Sequence, residues 1–121
     1  MPHIVLTGPP DIDRLAGGLE AAVYRWGRSV LKTTDWWRRQ DGGALLVEGV
    51  VVEHSRPLHP VALIGPHHAD TIVRLWPAVT VERTMAVQRW LALLAAALRH
   101  CGGGPLVRTN LPPELLSDLD L

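Results

Sequence analysis

The chain has one cysteine, Cys101, one lysine, Lys32, and no phenylalanine. A lone cysteine excludes an internal disulfide, so the fold must be held by its core, and a reducing cytoplasm is the expected compartment. No charge of one sign is in excess: twelve Lys and Arg balance twelve Asp and Glu. Global electrostatics therefore does not point to nucleic acid or an acidic partner. Long apolar runs are also missing. The longest, Trp90 to Leu98 between Arg89 and Arg99, falls well short of the roughly 20 residues a membrane span needs. The start, Met1-Pro2-His3-Ile4-Val5-Leu6, has neither the basic region nor the apolar stretch of a signal peptide.

What is present is ordinary for a folded domain. Apolar residues make up 47% and charged residues 20% of 121 positions, which excludes disorder and collagen-like repeats. The length suits one domain, 1–121, with 110–121 read as a C-terminal tail or short helix. Five tryptophans stand out. The eleven arginines accompany a surplus of Ala, Gly, Leu, Val and Pro, the signature of GC-rich coding, and are not read as function.

Along the chain, 3–7 reads as a strand closed by Gly8-Pro9-Pro10. Asp11 is placed as an N-cap, and Ile12, Leu15, Leu19, Ala22, Val23 and Trp26 follow at steps of three and four. That spacing predicts a helix over 11–26 with Gly27 after its end. Gly17-Gly18 inside it costs roughly 2 kcal/mol against two alanines. Strands are expected at 28–37, 44–53, 60–64 and 71–76, with a hairpin at Asp41-Gly42-Gly43, a bulge at Gly49 and a loop over 55–60. Thr80 is placed as the cap of a helix over 81–100, stopped by Gly102-Gly103-Gly104-Pro105. A last short strand at 106–109 is optional.

The resulting fold class is α+β: an antiparallel sheet of roughly four to six strands with two main helices on one face, in the order β-α-β-β-β-β-α(-β). Within the second helix, Trp90 to Leu98 is apolar on every side, and a helix apolar all round must be buried all round. One flat sheet covers one side only. The remainder is expected to meet the first helix, the tail or a second copy of the chain.

Four groups of residues are candidates for chemistry. Thr7-Gly8-Pro9-Pro10 stands where a phosphate loop would, but two prolines lack the N–H groups such a loop needs and no Gly-Lys-Ser/Thr follows. His54, His59, His67 and His68 lie near Glu53 and Asp70. A strand of about 17 Å separates His59 from the pair, whereas zinc ligands converge within about 2.0–2.3 Å of one ion. Arg25, Trp26, Arg28, Lys32, Trp36, Trp37, Arg38 and Arg39 form a basic–aromatic strip, the composition of protein hot spots and of single-strand binders. Trp36 and Trp37, adjacent on a strand, must point to opposite faces. Glu48 and Glu53 share a face only if Gly49 is bulged. Cys101 follows a helix C-terminus, where the dipole disfavours a thiolate.

The reading is a cytoplasmic, non-catalytic protein that acts through protein contacts as a homodimer, in a chaperone-, adaptor- or antitoxin-like role. Trp36, Trp37, Arg38, Arg39, Trp90 and Leu94 are its expected interface, and no cofactor or membrane is involved. One alternative is a metal-dependent or acid–base enzyme using His54, His67, His68, Asp70, Glu48 and Glu53. The other, less favoured, is a nucleic-acid binder using 25–39.

Overall fold

In the computed structural model, which describes all 121 residues, the chain starts as strand β1 (His3–Leu6). Asp11 then caps helix α1 (Ile12–Gly18), its carboxylate accepting the Arg14 N–H at 3.1 Å. The helix ends at Gly18, not at Trp26. Two successive glycines remove the side chains that would hold a further turn. The residues beyond them, with Val23, Tyr24 and Trp26, form strand β2 (Ala22–Trp26) instead. Gly27, at φ +59°, serves the turn into β3 (Ser29–Arg38).

Strands β4 (Leu45–Glu53), β5 (Arg56–Leu58), β6 (Val61–His67) and β7 (Asp70–Leu75) follow, then helix α2 (Met85–His100) and strand β8 (Leu106–Thr109). Eight strands form one sheet in the order β2-β3-β4-β6-β7-β1-β8, with β5 attached beside the C-terminal half of β4. Every pairing is antiparallel. This corrects the expected sheet of four to six strands: 22–26 is strand and not helix, and 56–58 is strand and not loop. The bulge is also displaced. Thr34 is the extra residue, between the pairs Thr33–Gly49 and Asp35–Glu48, so β4 itself runs regularly.

The β4–β5 turn consists of His54 and Ser55, at φ +51° and +62°. Turns with two positive φ values favour Asn-Gly and strain other residues. Replacing the pair by Asn-Gly is expected to raise stability by about 1 kcal/mol, read as a higher urea midpoint; an unchanged midpoint contradicts this.

The sheet curls about α2 as an incomplete barrel, and α2 touches β1, β3, β4 and β7. It begins four residues later than the spacing suggested. Thr84 is the cap, accepting the Val87 N–H at 3.1 Å. Glu53 of β4 accepts the Thr84 hydroxyl and, at 3.2 Å, the Ala86 N–H, which ties the helix start to the sheet. On the side away from the strands the C-terminal segment crosses α2 through a 3₁₀ turn, Pro113–Leu115. The buried Arg89 guanidinium grips the Asp118 carboxylate at 2.7 and 2.9 Å and the Leu115 carbonyl at 2.8 Å, with Leu111 and Leu115 buried beneath.

Curled sheet and docked tail together enclose most of the helix. Trp90 is 0% and Leu94 3% exposed within a single protomer. Of the covers expected for this helix end, the tail is the one that meets it. Trp90 to Leu94 need no second copy to be largely buried, because a curved sheet covers several sides of a helix where a flat one covers one. Trp90 and Leu94, expected at an interface, lie inside.

Arg89 holds the Asp118 carboxyl below the ordinary carboxylate range through their hydrogen bond. The sign follows. A folded value below the unfolded one means the bond's contribution is complete above about pH 3.9 and is lost as pH falls through the lowered value. Asp118→Asn is expected to flatten that part of the acid-denaturation curve. An unaltered curve contradicts the role given to the pair.

No helix is long and apolar enough to cross a membrane.

Candidate functional site

Strand β3 places the two neighbouring tryptophans on opposite faces. Trp36 points inward and its indole N–H donates to the Ala16 carbonyl at 3.2 Å, fastening α1 to the sheet. Trp37 points outward and is 49% exposed. Arg38 pairs with Asp13 of α1, and Arg39 pairs with Asp41 at 2.7 Å in the loop before β4. The Arg39 hydrogen bond and the Gly43 N–H hold the Asp41 carboxyl low. Of the basic–aromatic strip, Trp26 and Trp36 are thus half-buried against the core, two cations are neutralised, and Trp37 alone of the indoles is open.

The ladder register shows what surrounds Trp37. Trp37 lies opposite Leu46, Leu46 opposite Leu63, and Leu63 opposite Arg74, one outward row across β3, β4, β6 and β7. Beside Trp37, a shallow pocket of about 220 Å³ is lined by Arg38, Arg39, Leu46, Leu63 and Trp76. A protruding ring and an apolar hollow are therefore neighbours on one face. The next row sets Asp35 directly against Glu48, two like charges without an ion-pair partner, an arrangement that disfavours the isolated sheet slightly.

Leu46, Leu63 and Trp76 were not singled out from the sequence, although a signal existed. Strand β4 reads Leu-Leu-Val-Glu-Gly-Val-Val-Val, apolar on both faces. In an antiparallel sheet with helices on one side, that pattern implies cover on the other as well.

The histidines are dispersed. His54 sits in the β4–β5 turn, His59 just before β6, and His67 and His68 at the β6–β7 turn with ring centroids 4.6 Å apart. Arg108 contacts the His67 ring nitrogen at 2.9 Å. Desolvation, then the His68 ring and Arg108, push His67 below the ordinary histidine value. Asp70 accepts the Gly8 N–H at 3.0 Å and so serves the turn after β1. No three metal-ligating side chains converge. Glu48 faces outward and Glu53 inward to the start of α2, so the two carboxylates are not brought together. Thr7-Gly8-Pro9-Pro10 is a strand-to-helix turn whose Thr7 hydroxyl donates to the Pro105 carbonyl at 2.9 Å.

A second concavity opens at the free edge of the sheet, between the end of α1, strands β2 and β3, and the C-terminal half of α2. It has a volume of about 320 Å³ and contains Glu20, Tyr24, His100 and Cys101. Helical spacing over 11–26 hid it, because that reading put Glu20 and Tyr24 on a helix.

Comparison with protein-family models, with curated proteins and with solved structures finds no match for this chain.

Proposed function

We propose that the protein acts through protein contacts, without catalysis, as a homodimer whose copies meet on the outer sheet face. The observation that carries this reading is the adjacency of knob and hollow. A two-fold interface requires a surface complementary to itself, so that each element meets its counterpart in both directions. Trp37 of one copy is the right type of side chain for the hollow at Leu46, Leu63 and Trp76 of the other, and an aromatic in a pocket flanked by Arg is the composition of interface hot spots. Charge supports the same pairing. Lys32 and Arg74 on this face have no acidic partner within ion-pair distance, and Asp35 with Glu48 lacks a cation. Two-fold docking gives each the opposite sign. The carboxylates Glu53, Asp70 and Asp118 are engaged in structural contacts, which favours a binding role over an acid–base one.

The contact is expected to be of standard size, about 800 Å² per copy, and of micromolar order in strength. Light scattering at about 100 µM, where mass action favours the dimer, should give twice the 13.3 kDa chain mass. Trp37→Ala should weaken association at least about thirtyfold, as a central aromatic hot spot does. A single-chain mass at that concentration, or a dimer indifferent to Trp37→Ala, contradicts the reading.

A further inference from the structure

The apolar helix end has one side that neither sheet nor tail covers. Leu93, Ala96, Ala97 and His100 share a stripe on α2, at steps of three and four. Leu93, Ala96 and Ala97 are only half-buried, while Trp90, Leu91, Ala92 and Leu94 are fully buried. This stripe is the wall of the 320 Å³ pocket at the free edge of the sheet. Small side chains keep the pocket open. Ala96 and Ala97 stand where leucine would fill the space, and Gly18 comes so near Cys101 that a Cβ there would lie 2.6 Å from the thiol sulfur.

The lining has a definite polarity. Its floor is apolar, with Leu19, Leu94 and Ala97. Glu20 is the only carboxylate in it, and no Lys or Arg lines it. Glu20 has no ion-pair partner in the chain. Tyr24, 43% exposed, lines the same pocket, and an aromatic ring attracts cations. The C-terminal end of α2 carries Arg99 and His100 in its last turn, and its carbonyls are capped by the N–H groups that follow. The carboxylate and the ring therefore set the preference, with His100 also on the wall. The apolar floor is indifferent to charge, whereas the Glu20 carboxylate and the Tyr24 ring both favour a cation.

We propose that this pocket binds a small organic amine, its ammonium held at Glu20 and Tyr24 and its apolar body laid against Leu19, Leu93 and Ala97. A volume near the lower limit of ligand pockets admits on the order of ten non-hydrogen atoms. The site is separate from the outer face and does not depend on the dimer.

The test is calorimetric titration of the full chain with 2-phenylethylamine, 2-phenylethanol and phenylacetate, three probes of one shape and different charge. The amine should bind about fivefold more tightly than the alcohol, the gain of one exposed ion pair, and phenylacetate more weakly than either. Glu20→Gln should bring amine and alcohol level, while Ala97→Leu should abolish binding of all three with the fold intact by circular dichroism. No heat from the amine at about 10 mM, a range that reaches millimolar affinities, would overturn the proposal. Equal affinity for amine and carboxylate, or binding that survives Ala97→Leu, would do the same. Repeating the titration on Trp37→Ala separates the two surfaces. Unchanged amine binding supports a free pocket, whereas binding seen only in that variant would mean that a second copy occupies it.

Discussion

Gly49→Ala is expected to cost about 3 kcal/mol or more, and Gly49→Val to prevent folding. A Cβ at this position would lie 2.5 Å from two ring carbons of Trp90 and 2.9 Å from the Lys32 carbonyl oxygen. Neither neighbour can yield. Trp90 is completely enclosed, and its indole N–H is bonded to the Thr33 hydroxyl at 3.1 Å in the interior. Overpacking of such a core ordinarily costs about 1–3 kcal/mol, and here the clash also strains the β3–β4 ladder. The glycine thus serves the closest approach between the sheet and the helix it wraps. Urea titration of Gly49→Ala checks the size. Combining it with Trp90→Leu should recover part of the loss, a coupling of more than about 1 kcal/mol. A Gly49→Ala protein within 0.5 kcal/mol of the parent, the range of neutral surface changes, would show that the ring does not press on β4 at this position.

The second large effect concerns the tail. A chain ended at Asn110 should lose on the order of 5 kcal/mol, most of the stability of a domain this small. Leu111 and Leu115 are buried, and Leu116, Leu119 and Leu121 pack against the core. Their removal uncovers one side of α2 and leaves Arg89 without its carboxylate. The truncated chain is expected to bind hydrophobic dyes and to unfold at much lower urea. Leu115→Ala should give a smaller version of the same change, about 2–4 kcal/mol. A truncated chain as stable as the parent would mean that the tail is an ornament and α2 is covered by the sheet alone.

Much of this architecture is legible in the sequence. The β1 strand, the Asp11 cap, the long second helix and the opposition of Trp36 to Trp37 all follow from local rules of spacing and capping. What was illegible has a common cause. Between Leu19 and Trp26 the apolar residues fit a helical stripe and a half-buried strand equally well, and the choice falls to the long-range pairing of β2 with β3. Curvature is likewise a property of the whole sheet. Reading α2 as too apolar for one domain assumed a flat layer; the curled sheet and the docked tail together cover most of it. The candidate surfaces were half legible for the same reason. Trp37, Arg38 and Arg39 could be found in a contiguous strip, but Leu46, Leu63 and Trp76 are assembled beside them only by the ladder. Glu20 and Tyr24 become pocket residues only because α1 stops at Gly18.

The claim that the copies join knob to hollow is tested most directly by nuclear magnetic resonance on a mixed sample, half isotope-labelled and half unlabelled. Contacts are then read only between copies. Intermolecular cross-relaxation is expected from the Trp37 indole protons to the Leu46 and Leu63 methyls. A dimer whose intermolecular contacts arise elsewhere, or a sample with none, would contradict it.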